Sequence, residues 1–216
     1  MYIVYKMIYI YGGSHAEYSF RNLELSHTNL REYGITMHRI GRDNIIVNFN
    51  KNEVLQNNNI LIFVYGETDC RCHIQRQINL GNDEDTVIEK LVTNYFTTLK
   101  NNVIKDNLYN FKVIIVGVIP PVKQCEHDAS RGPLPDKFPF PFVGSDEDRV
   151  RFTNKVNKLL EELSNNNGYI YFNPYAKHYT RPCGTLKFEL SDGCVHLANN
   201  TFFLDEFIAL HKTFDA

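Results

Sequence analysis

The sequence predicts an α/β protein: a three-layer α/β/α sandwich around a five-stranded, mainly parallel sheet. Three observations lead there. Short apolar runs alternate along the chain with longer stretches that are apolar at helical spacing. Most of the runs are continuous, as in strands covered on both faces, and lack the in–out alternation of a half-exposed sheet. The 216 residues, 43% hydrophobic and 22% charged, have the size and composition of a globular domain.

The elements follow in order. Strands are predicted at 7–11, 37–40, 60–65, 112–118 and 169–172, and helices at 16–32, 50–56, 85–103, 146–164 and 204–212. In 85–103, Val87, Ile88, Leu91, Val92, Tyr95 and Leu99 fall on one stripe. In 146–164, Val150, Val156, Leu159, Leu160 and Leu163 do the same. Alternating strands and helices imply right-handed crossovers with helices on both faces of the sheet. The alternation breaks at 119–145, where Pro120, Pro121, Pro133, Pro135, Pro139 and Pro141 exclude a helix or central strand. That segment reads as a long surface loop or as a wall over a site. With no internal repeat and no linker, residues 1–216 read as one domain.

Several function classes are disfavoured. A formal net charge of -2 gives no electrostatic bias toward nucleic acid. No apolar run reaches the roughly 18–20 residues of a membrane span. The apolar start, MYIVYKMIYIYGG, lacks the basic segment and cleavage site of a signal peptide, so a soluble cytoplasmic protein is expected. Five irregularly spaced cysteines suggest reduced thiols, not a disulfide scaffold. Cys70, Cys72 and His73 lack the paired spacing of zinc modules, and no metal or cofactor is expected.

Four clusters could carry chemistry. Ser14 follows Gly12-Gly13 where the first strand enters a helix, so it is either a helix cap or a nucleophile beside free backbone N–H groups. Asp192 stands four residues before His196, across Gly193; this is either a surface turn or a carboxylate orienting a base. The end of the third strand concentrates Glu67, Thr68, Asp69, Cys70, Arg71, Cys72 and His73 directly after a buried run. Gly41, after the predicted second strand, could offer an unobstructed backbone N–H. All four fall at the C-terminal ends of strands or in the last loop, and these share one edge of a parallel sheet. His15 reads as a first-turn helix residue, and His38, His127, His178 and His211 read as surface residues.

Taken together, Gly-Gly-Ser after the first strand, a glycine after the second, Gly66-Glu67-Thr68-Asp69 after the third and Asp192-Gly193-Cys194-Val195-His196 before a terminal helix resemble the SGNH (GDSL-like) hydrolase superfamily. Gly66-Glu67-Thr68-Asp69-Cys70-Arg71 and Ser191-Asp192-Gly193-Cys194-Val195-His196 resemble a subgroup of it. The resemblance spans nearly the whole chain. It implies a flavodoxin-like sandwich, no cofactor, and an esterase, deacetylase or acyltransferase acting on a small-molecule or carbohydrate ester. It also implies Ser14 as nucleophile, His196 as base and Asp192 as its orienter. The oxyanion hole would draw on Ser14, Gly41 and Thr68, with Glu67, Asp69, Arg71 and His73 binding substrate.

Three departures stand out. Thr68 occupies the position of an oxyanion Asn, the Asp-to-His spacing is four where three is usual, and Gly13 replaces an Asp. They motivate an alternative: a weak or inactive member of the fold that binds a glycan or an anionic ligand through Arg71 and His73.

Overall fold

The computed structural model describes residues 7–55, 58–103, 111–127 and 141–214. Five strands, β1 (Ile8–Gly12), β2 (His27–Arg31), β3 (Ile60–Val64), β4 (Lys112–Val116) and β5 (Ile170–Phe172), form one sheet in the order β2-β1-β3-β4-β5. Every pairing is parallel. The helices are α1 (Ser14–Phe20), α2 (Met37–Asp43), α3 (Lys51–Val54), α4 (Ile74–Asn79), α5 (Glu84–Asn102), α6 (Asp146–Asn166), α7 (Tyr175–His178) and α8 (Thr201–Lys212). A π turn, Asp69–His73, leads into α4.

Strand pleating sorts the core into two layers. Tyr9, Tyr11, Leu61, Phe63, Val113 and Ile115 face one way, toward Met37 and Ile40 of α2, Val92 and Tyr95 of α5, and Phe152 and Val156 of α6. Ile8, Ile10, Ile60, Ile62, Ile114 and Val116 face the other way, toward Ala16 and Phe20 of α1 and Phe203 and Phe207 of α8. Both faces of β1 and β3 are therefore buried, which is why their sequences are unbroken apolar runs.

The second strand differs from expectation. Residues 37–40, expected extended, form the start of α2. Its N-terminal amides are held by the Thr36 hydroxyl, which accepts Arg39 N–H at 3.2 Å, and by the Asp69 carboxylate, which accepts Met37 N–H at 2.9 Å. The expected helix 16–32 stops at Phe20; Asn22 takes a left-handed φ of 67°, and the chain turns into edge strand β2.

Gly41 consequently sits inside α2, where a Cβ would come within 2.8 Å of Asn94 Cβ. Its lack of a side chain lets α2 pack closely on α5. Of the Pro-rich 119–145 segment, 128–140 lie outside the described residues. The flanks are placed: Ile119 and Val122 are buried, and a short turn at Gln124–Glu126 is pinned by Arg181, which donates to Glu126 Oε1 at 2.8 Å.

Along this sheet the chain order reverses direction between β1 and β3, so the connections leaving their paired C-terminal ends run to opposite sides and open a crevice there.

Candidate active site

Ser14 is placed by a tight strand-to-helix turn. A Cβ on Gly12 would lie 2.6 Å from Ala16 Cβ and 2.7 Å from the Val64 carbonyl oxygen, so only glycine lets the turn sit against β3. At Gly13 the nearest atom to a Cβ would be Glu32 O at 3.6 Å, so space alone does not require a glycine there. Ser14 is the first residue of α1, where backbone N–H groups have no intrahelical acceptor.

The loop after the short turn Phe188–Leu190 brings the base. Ser191 and Leu197 form an antiparallel bridge that closes the loop. Inside it, Asp192 Oδ1 accepts Cys194 N–H at 2.8 Å and His196 N–H at 3.1 Å. Gly193 adopts φ 80°, which absorbs the extra residue between Asp192 and His196. Asp192 Oδ2 then lies 3.1 Å from His196 Nδ1, and His196 Nε2 lies 2.8 Å from Ser14 Oγ. Burial works against the Asp192 carboxylate, but the His196 ring and these backbone amides outweigh it and hold its pKa below the ordinary range. An ionised Asp192 can only accept, which assigns the imidazole proton to Nδ1 and leaves Nε2 to accept from the Ser14 hydroxyl. The ring is stacked on Tyr18 (4.3 Å between centroids) and flanked by His15 (4.8 Å).

A second network borders the first. Arg71 donates to Glu67 through Nε at 2.6 Å and Nη2 at 3.2 Å, and His15 Nε2 is 3.0 Å from Glu67 Oε2. Burial alone would raise the Glu67 pKa, yet the charge of Arg71 and the His15 contact keep it far below the usual carboxylate range. Burial first of all lowers the His15 pKa, aided by the neighbouring His196 ring and the Arg71 charge and opposed by Glu67. Thr68 O–H reaches Glu67 Oε2 only at 3.4 Å, a long bond that holds the hydroxyl weakly.

These groups line a cavity of about 480 Å³ at the ends of β1, β3 and β4. Ser14, His196, Glu67, Thr68, Asp69 and Arg71 all border it. Their roles divide, however. Glu67 and Arg71 satisfy each other. The Asp69 carboxylate is fully buried and caps α2, so it positions a helix more than it meets a ligand.

His73 does not border the cavity; its Nδ1 is 3.0 Å from Asp69 Oδ1. Gly41 does not border it either, because it belongs to α2. The glycine that follows the actual second strand and borders the cavity is Gly34, with φ 66°.

Residues not anticipated include Glu32, Tyr33 and Tyr65 on the β2 and β3 ends, Tyr18 under His196, and Phe142 and His127 at the rim. His127 was expected at the surface, but it borders the cavity with Nε2 3.6 Å from Cys194 Sγ. His178, also expected at the surface, is 2.8 Å from Glu206 Oε1 and stacked on Phe202. Only the location of β2 could have found Glu32 and Gly34. Burial, with Asp192 close by, raises the Cys194 thiol pKa, which disfavours it as a nucleophile. Among the described residues, no group of three His, Cys, Asp or Glu side chains could hold a metal ion, and no helix is long and apolar enough to cross a membrane.

Solved structures with this arrangement of elements include a putative acylhydrolase from Bacteroides fragilis NCTC 9343, at TM-score 0.57 and 15% identity over 96% of this chain and 88% of the other. A GDSL-like lipase from Bacteroides thetaiotaomicron VPI-5482 superposes at TM-score 0.55 and 13% identity, over 96% and 87%. A psychrotrophic esterase from Pseudoalteromonas sp., in a structure inhibited by monoethylphosphonate, superposes at TM-score 0.55 and 12% identity, over 98% and 100%. The chain has the SGNH (GDSL-like) hydrolase fold. No protein-family model and no curated protein matches the sequence. At these identities the likeness is one of fold alone.

Proposed function

We propose that this protein is a serine esterase that cleaves acyl esters through Ser14, His196 and Asp192. The observation that carries the proposal is the unbroken line from Ser14 Oγ to His196 Nε2 at 2.8 Å and from His196 Nδ1 to Asp192 Oδ2 at 3.1 Å. Ser14 Oγ attacks the acyl carbonyl carbon while His196 Nε2 takes the hydroxyl proton. Asp192 holds the ring in the needed tautomer and stabilises the imidazolium. The tetrahedral intermediate collapses, its C–O bond to the alcohol breaks, and His196 returns the proton to the departing oxygen. Water, deprotonated by the same imidazole, then cleaves the acyl-enzyme.

The oxyanion needs donors that are in place before reaction. We assign these to the backbone N–H groups of Ser14 and Gly34 and to the Thr68 hydroxyl. The weak 3.4 Å bond to Glu67 leaves that hydroxyl free to turn toward the oxyanion. An acceptor hydroxyl in place of water would make the same site an O-acyltransferase. Two observations favour catalysis over the alternative of a binding-only protein: Ser14 and His196 stand within hydrogen-bond reach, and Arg71 is engaged by Glu67.

The test is hydrolysis of a panel of short-chain acyl esters and O-acetylated sugars by wild type and by Ser14→Ala. Turnover that disappears with Ser14 supports the proposal; absence of turnover on every ester, or turnover that persists in Ser14→Ala, refutes it.

A further inference from the structure

The turn after β2 carries a carboxyl that this mechanism leaves unused. Glu32 is only 4% exposed, yet it borders the same cavity as Ser14. Its Oε2 accepts the Tyr65 hydroxyl at 3.0 Å, and its Oε1 is buried without a hydrogen-bond partner. A buried polar atom left unmet costs free energy, and native proteins keep few of them without a functional reason. The backbone here is fixed: Glu32 N–H donates to Gly12 O at 2.9 Å, which ties the carboxyl to the turn that presents Ser14. The next residue, Tyr33, also borders the cavity, but it is 78% exposed, with the Arg31 guanidinium 4.2 Å from its ring centre. Consecutive residues thus supply an inner acid and an outer aromatic ring.

We propose that Glu32 is a specificity-determining residue that hydrogen-bonds a hydroxyl group of the bound ester, so that the site selects hydroxyl-bearing esters over plain alkyl ones. The inference rests on the esterase reading of Ser14. A hydroxyl suits Glu32 in either protonation state, because a carboxylate accepts from it and a neutral carboxyl can donate to it as well. Tyr65 holds the carboxyl in one orientation. A site built around such a group discriminates strongly, since an analogue without the hydroxyl leaves the buried partner unmet.

Two matched substrate pairs show on which side of the ester the hydroxyl lies. Ethyl glycolate against ethyl propionate places it on the acyl part; 2-hydroxyethyl acetate against propyl acetate places it on the alcohol. The wild type is expected to favour the hydroxylated member of at least one pair by about tenfold or more in kcat/KM. Glu32→Leu should bring that ratio near unity while leaving the alkyl member within about threefold, and Glu32→Gln should keep most of the preference.

A wild type without preference, a preference unchanged in Glu32→Leu, or an equal loss on both members would overturn the assignment. If the wild type hydrolyses neither these four esters nor any ester or O-acetylated sugar of the wider panel, the esterase reading fails instead. Glu32 is then judged by calorimetric binding of ethyl glycolate and 2-hydroxyethyl acetate to Ser14→Ala and to Ser14→Ala/Glu32→Leu. Weaker binding to the double variant supports the assignment, and equal or absent binding overturns it.

Discussion

His196 Nε2 lies 2.8 Å from Ser14 Oγ although 182 residues separate them in sequence. Two independent local devices meet in that contact: the Gly12-Gly13 turn that aims Ser14, and the closed 191–197 loop that aims His196. Asp192 holds both the ring and the loop backbone, so its replacement should act through orientation. Asp192→Asn is expected to keep the fold and lower kcat by about 10²–10⁴, with a much smaller change in KM. Steady-state kinetics on one hydrolysed ester checks this; an unchanged kcat would remove Asp192 from the mechanism.

Thr68 is the weakest of the proposed oxyanion donors because a hydroxyl rotates more freely than an amide. Thr68→Ala should lower kcat by roughly tenfold to a hundredfold, somewhat less than the loss of a rigid donor. Thr68→Ser should retain most activity. If alanine is as active as threonine, the oxyanion is held by backbone groups alone.

The Glu67–Arg71 pair is the main buried ion pair beside the site, and its members depend on each other. Arg71→Met leaves the Glu67 carboxylate with His15 and the weak Thr68 hydroxyl bond, and should cost on the order of 3–5 kcal/mol of stability. Glu67→Gln/Arg71→Met, which removes both charges, should cost clearly less than Arg71→Met alone. Urea unfolding of the three proteins measures the difference.

Glu32 titrates unusually. Burial pushes its pKa up to about 7, against the hydrogen bond from Tyr65 and the charge of Arg39, which pull it down. The folded state therefore holds this proton more tightly than the unfolded chain does. Its contribution to stability is complete below about pH 4.5, is lost as pH rises toward 7, and is constant above that. Between those limits the wild type should lose on the order of 2–3 kcal/mol relative to Glu32→Gln. Parallel unfolding curves at several pH values give the difference directly; a flat difference would contradict the burial argument.

Much of the fold was legible in the sequence, and the main departures fall between β1 and α2. Strands β1, β3 and β4 are buried on both faces, so their residues announce themselves. Edge strand β2, His-Thr-Asn-Leu-Arg, buries little and carries one apolar side chain, so nothing in its pattern marks it as a strand. Helix α2 in turn depends on the Asp69 carboxylate, 32 residues away, for its N-terminal amides, and no local pattern shows that. With β2 at His27–Arg31 the glycine after the second strand is Gly34 and not Gly41, and Glu32 joins the cavity lining. Ser14, Asp192 and His196, which stand within hydrogen-bond reach of one another, lie in turns visible in the sequence, although each turn alone also reads as a helix cap or a surface turn. Gly41→Ala makes this correction testable. It should destabilise the α2–α5 contact by about 1–3 kcal/mol while leaving kcat within a fewfold.

The most direct test of the account is covalent labelling of the folded protein by a fluorophosphonate, mapped by peptide mass spectrometry. A single phosphonyl adduct is expected on Ser14 in the wild type and none in Ser14→Ala, with a labelling rate reduced by on the order of a hundredfold or more in His196→Ala. A folded wild type that stays unlabelled at Ser14, or that is labelled equally fast without His196, would contradict it.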